Sequence, residues 1–207
     1  MAQILKDESR NAIIESAKEE FLNKGFNNAS MRNIAKKAKM TVGNLYRYFK
    51  SKDEISEYIV SDTYNSIDLL IKNLTSNNVS IISNDINLKY STDELRQILN
   101  ELADNLVDIY KDHKIEFNIL MYNSKINERI TNWFTDAINV LINNYFDIEG
   151  YEKEKYILSK SYAESIFMGM RVIFKENDLD ISRLKTIVRA YLNSYIYMFD
   201  ADIRKLV

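Results

Sequence analysis

Between Ser30 and Lys52 the chain carries Arg32, Lys36, Lys37, Lys39, Arg47, Lys50 and Lys52, and no Asp or Glu. Seven cations in so short a stretch call for a polyanion. Between two of them lies a run of small residues, Thr41, Val42 and Gly43, followed by Asn44. An Asn amide can pair bidentately with an adenine edge, and the methyls of Thr and Val can meet a thymine methyl. Gly43 keeps the backbone thin enough to approach closely. Tyr46, Tyr48 and Lys52 fall on the flanks, where phosphates would lie, and Arg47 can serve either base or phosphate. The chemistry is recognition of duplex DNA, with no bond made or broken.

These side chains need two short helices joined by a tight turn. Ser30 is a good N-cap for the first, with Ile34, Ala35 and Ala38 facing inward. Lys39 to Thr41 form the turn. Thr41 caps a second helix, expected over Val42 to Phe49, whose Leu45 and Phe49 are buried at i, i+4. A preceding helix over Ser9 to Lys24 places Ile13, Ile14, Ala17, Phe21 and Leu22 at helical spacing. Gly25 ends it, where a left-handed residue costs glycine nothing. Ser51, with Glu54 three residues on, forms a capping box for a long fourth helix carrying Ile55, Ile59, Thr63, Ile67, Leu70 and Leu74.

The stretch from about residue 9 to 58 resembles the TetR family of transcriptional regulators. Arg10, Ile14, Ala17, Phe21, Gly25, Ser30, Ile34, Ala35, Ala38, Gly43, Leu45, Tyr46, Phe49, Ser51 and Lys52 follow the family pattern in type and spacing. The resemblance implies a DNA-binding domain over residues 1–52 and a ligand-binding and dimerisation domain over 53–207. By position it implies DNA contacts at Ser30, Met31, Thr41, Val42, Gly43, Asn44, Tyr46, Arg47, Tyr48 and Lys52. The chain departs from the pattern at Lys39, where the family's turn usually has Gly. If that residue keeps a positive φ, a Lys costs on the order of 1 kcal/mol and adds a cation near the phosphates.

Proline is absent and glycine occurs four times, so the whole chain reads as all-α: a three-helix amino-terminal bundle with a helix-turn-helix, then a larger helical region. Residues 76–91 are Asn/Ser-rich and form the weakest segment. Helices are expected near 92–112, 114–123, 126–147, 152–176 and 180–204. The chain holds 14 Tyr, 9 Phe, 7 Met and one Trp. Phe117, Met121, Tyr122, Trp133, Phe134, Tyr162, Ile166, Phe167 and Met170 lie on the helices that enclose the ligand pocket in the resembled family. They suggest an apolar or aromatic small molecule. The last two helices have wide apolar stripes and are the candidate dimer interface, with Gly169, Tyr191, Tyr195 and Met198. An internal helix contact accounts for Gly169 equally well.

Net charge is −2, split as +3 over residues 1–60 and −5 beyond. Without Cys, thiolate metal sites and cysteine nucleophiles are excluded. The single His113 reads as a helix-end residue, so no enzyme, metal or cofactor is expected. No apolar run is long enough to span a membrane, and the first ten residues lack a signal-peptide core, so the expected location is the cytoplasm. The combined expectation is a homodimeric repressor on a near-palindromic double-stranded DNA operator, released by a small-molecule effector. The alternative is a DNA-binding adaptor or structural protein of the same fold without small-molecule control.

Overall fold

The computed structural model describes residues 2–77, 91–145, 150–175 and 179–197. Every regular element among them is a helix: α1 (Ala2–Asn28), α2 (Met31–Lys37), α3 (Val42–Leu45), α4 (Lys52–Asn77), α5 (Thr92–Asp112), α6 (Lys114–Leu120), α7 (Ser124–Tyr145), α8 (Glu152–Lys175) and α9 (Ile181–Ser194). They form two compact units. The first comprises Met1–Ser66 and His113–Asn127, the second Ile67–Asp112 and Glu128–Val207.

In the first unit α1 packs on α2 and α6, and α2 packs on α3. The apolar stripe of α1 buries Ile13, Ala17 and Phe21; α2 adds Ile34 and Ala35; Leu45 and Phe49 follow, then Ile55 and Ile59 from α4. Helix α6 contributes Phe117 and Leu120. An ion pair at 2.8 Å joins Lys18 of α1 to Glu116 of α6. Burial opposes the charge of Glu116, but the Lys18 hydrogen bond, a backbone hydrogen bond and the charge of Lys18 together outweigh it and hold the carboxyl below its ordinary range.

Three local expectations change. Helix α1 begins at Ala2, not Ser9, and resumes beyond Gly25 (φ 72, ψ 157) for a last turn to Asn28. Gly25 thus interrupts the helix with the positive φ expected of it, and a single further turn follows. Leu22 is 49% exposed, because Phe21 beside it takes the inward position. Regular α-helix in α3 stops at Leu45. The chain then tightens, with Arg47 N–H donating to Asn44 and Tyr48 N–H to Leu45, while Phe49 N–H returns to Leu45 at 3.1 Å and keeps its ring inside.

In the second unit α9 packs on both α5 and α8. The buried stripe of α5 (Leu95, Leu102, Ala103, Leu106, Val107, Tyr110) meets Leu184, Val188 and Leu192 of α9. Polar contacts fix the register: Lys185 pairs with Asp108 at 2.7 Å, Arg189 forks onto both carboxylate oxygens of Asp104, and Asn193 donates to Asn100. The expected 92–112 and 152–176 spans agree with α5 and α8 to within a residue. Most of the 76–91 segment, and Met198 with everything after it, lie outside the described residues.

Candidate nucleic-acid interface

The hairpin is built by its caps. The Ser30 hydroxyl accepts from Asn33 N–H at 3.2 Å and starts α2. At its other end Met40 N–H donates to Ala35 O (3.0 Å) and Lys39 N–H to Lys36 O (3.2 Å). That pair of bonds is a Schellman closure, which needs a left-handed residue at C′. Lys39 is that residue, at φ 56, and is the only non-glycine with positive φ among the described residues. The Thr41 hydroxyl then accepts from Asn44 N–H at 3.1 Å and opens α3. Two caps and one strained residue therefore set the angle between α2 and α3.

Leu45 and Phe49 anchor α3 from within, so the opposite side faces out. Thr41, Gly43 and Arg47 are exposed; Tyr46 is 51% exposed; Met31, Val42, Asn44 and Tyr48 are half-buried, as is Ser30. A Cβ built on Gly43 meets nothing within 4 Å. No described residue requires glycine there, and the surface over it is open.

The seven cations divide. Arg32, Lys36, Lys39, Arg47 and Lys50 are exposed. Lys37 is not free: its ammonium lies 2.8 Å from Glu19 and 3.2 Å from Glu20. The hydrogen bond with Glu19, then that with Glu20, holds its pKa above the ordinary lysine value. Lys52, half-buried at the start of α4, donates to Phe26 O (2.8 Å), Asn27 O (2.9 Å) and Ala29 O (3.4 Å), with its Nζ 4.8 Å from the Phe26 ring centroid.

Sequence reasoning missed Glu20. It is only 2% exposed, on the α1 face that also buries Ala17 and Phe21. Asn33 Nδ2 donates to it at 2.9 Å and Lys37 closes on its other oxygen. Burial pushes its carboxyl up, but the bonds from Asn33 and Lys37 and the charges of Lys37 and Lys24 outweigh burial and bring it below the ordinary range. The available signal was a carboxylate at an inward position, seven residues after Ile13.

The remaining candidates fall in both units. Phe117 and Met121 are buried in the first, where Tyr122 is 43% exposed. In the second, Trp133 and Phe134 are half-buried with rings edge to face at 4.9 Å, Tyr162 is half-buried, and Ile166, Phe167 and Met170 are buried. Gly169 faces its own chain: a Cβ there would sit 2.0 Å from the Tyr191 hydroxyl. That hydroxyl donates to Ser165 O at 2.7 Å and lies 2.8 Å from the Tyr195 hydroxyl. His113 stands at the N-cap of α6 without a side-chain cap bond. No helix among the described residues is long and apolar enough to cross a membrane.

Residues 13–59 match the family model for bacterial regulatory proteins of the tetR family. Over 73 residues the chain is 37% identical to YttP of Bacillus subtilis (strain 168), described as an HTH-type transcriptional regulator; the match covers 35% of each protein. A second regulator of that organism, the uncharacterised YdgC, is 34% identical over 71 residues, 34% of this chain and 36% of YdgC. The matches thus span about a third of these curated relatives. The fold extends further. A TetR-family transcriptional regulator from Syntrophomonas wolfei superposes with a TM-score of 0.59 at 14% identity, covering 93% of this chain and 96% of that one. A TetR-like regulator from Rhodococcus sp. RHA1 gives 0.54 at 12% identity, covering 91% and 96%. Over residues 13–59 the chain thus carries the amino-terminal segment of the tetR family of bacterial regulatory proteins, and beyond it the likeness to TetR-family structures is one of fold.

Proposed function

We propose that the chain is a dimeric transcriptional repressor that leaves a near-palindromic operator when a small, mainly apolar or aromatic molecule binds. Residues 1–52 read the DNA, and residues 53–207 hold the ligand and the dimer contact. The observation that carries this reading is the outward side of α3, where an unneeded glycine sits beside Thr41, Val42, Asn44 and Tyr46 and is flanked by exposed cations. The aromatic pair Trp133–Phe134 and the α8 side chains Tyr162, Ile166, Phe167 and Met170 support an apolar ligand in the second unit. Burial pushes the Tyr162 phenol up, as expected for a hydroxyl away from bulk water. A second copy of the chain suits α8, which exposes Ile157, Met168 and Val172 on one side. Twofold pairing places two α3 helices about one DNA turn apart, or somewhat more.

Gly43→Ala tests the DNA side directly. The free protein has room for the methyl, and alanine favours helix by up to about 1 kcal/mol, so stability holds or rises. Affinity for a selected duplex should nonetheless fall at least tenfold by fluorescence anisotropy. Unchanged affinity, or wild-type protein without salt-sensitive association with any duplex, removes α3 from the groove. By linkage, any ligand that releases DNA must itself be released by DNA to the same factor.

A further inference from the structure

Resting on the DNA-binding reading above, we infer that Lys52 is a positioning residue for the helix-turn-helix rather than one of its phosphate contacts. An ammonium has three N–H donors, and three carbonyl oxygens converge on this one: Phe26 and Asn27 in the last turn of α1, and Ala29 in the link to α2. A helix C-terminus leaves such carbonyls unpaired and carries partial negative charge, so a cation there is favoured twice. The Phe26 ring beneath the ammonium adds a cation–π contact and excludes water from one side.

The place of this knot in the chain gives it its role. Ala29 immediately precedes Ser30, the N-cap of α2. Lys52 opens α4. One side chain from α4 therefore ties the end of α1 to the beginning of α2, while Glu20 grips α2 along its side through Asn33 and Lys37. The pose of α2, and of α3 joined to it by the Lys39 closure, is fixed at both points. To reach a phosphate, the ammonium would have to abandon all three carbonyls. A lysine fits this site because its charge is compact; a planar guanidinium cannot aim its donors at three oxygens around one point.

The test compares wild type, Lys52→Met and Lys52→Arg on one selected duplex, across a salt series, at a temperature where circular dichroism shows each protein folded. The expected result is at least a tenfold loss of affinity for Lys52→Met at every salt, with the slope of log affinity on log salt unchanged and no rescue by Lys52→Arg. Three results would overturn the inference: a slope flattened by about 0.9 for each lost lysine contact, full rescue by Lys52→Arg, or unchanged affinity in Lys52→Met. Lysine-ammonium NMR of wild-type protein covers the case in which the variants do not fold. A protected Lys52 signal that does not move on adding duplex supports positioning; an exposed one, or one that shifts with the duplex, refutes it. Wild type that binds no duplex sinks the DNA-binding reading itself, which is a separate outcome.

Discussion

Glu20 shows how one buried carboxylate governs a surface. It faces the interior of the first unit, yet its partners Asn33 and Lys37 lie on the helix that leads to α3. Removing one partner from a buried charged pair costs more than the pair contributes, because a desolvated group is left behind. Glu20→Gln keeps the Asn33 bond and loses the ionic one, for a destabilisation of about 1–2 kcal/mol by thermal or urea unfolding. The pH dependence has a definite sign. The folded-state pKa lies below the ordinary glutamate value of 4.5, so the stabilisation is fully present above that value. It disappears as pH falls through the folded pKa. Wild-type stability should therefore decline below about pH 4.5 more steeply than that of Glu20→Gln. Parallel acid limbs for the two proteins would show that the carboxylate is not held in its charged form.

Among the elements, the α8–α9 contact turns on a position without a side chain. Gly169 is weak helix former in the middle of α8, and the Tyr191 ring of α9 occupies the space its Cβ would take. Gly169→Ala drives the ring out and breaks its bonds to Ser165 and Tyr195, for an expected loss of about 1–3 kcal/mol in spite of better helix propensity. Tyr191→Ala in the same chain should make the added methyl nearly harmless, so a double-mutant cycle reads a large coupling. Additive effects would place the ring elsewhere. The contrast with α5 explains what a sequence discloses. The span of α5, the caps Ser30 and Thr41 and the buried Leu45 and Phe49 follow from local spacing, and all stand as expected. The positive φ of Lys39 was legible for the same reason. Glu20 with Asn33, Lys52 with Phe26 and Gly169 with Tyr191 join residues 13, 26 and 22 positions apart. Such pairings depend on how helices pack, and no local pattern encodes them.

For the whole molecule, dividing the cations sets the salt dependence of the proposed DNA binding. Counted from sequence, each chain offers seven positive charges between Ser30 and Lys52. In the fold, Lys37 is held by two carboxylates and Lys52 by three carbonyls, leaving Arg32, Lys36, Lys39, Arg47 and Lys50 exposed. Each phosphate neutralised releases condensed counterions and adds about 0.9 to the magnitude of the slope of log affinity on log salt. A dimer using every exposed cation of both hairpins therefore reaches a slope of about −9 and no steeper, whereas all seven per chain would give about −13. A single chain on a half-site is limited to about −4.5. The measurement is anisotropy on one near-palindromic duplex and on its isolated half, between about 50 and 200 mM salt. A slope between roughly −4.5 and −9 on the full site, falling by half on the half-site, supports two copies with Lys37 and Lys52 kept inside the scaffold. A slope near −13 would mean that both lysines leave their partners on binding, and an identical slope on both duplexes would mean that one copy binds alone.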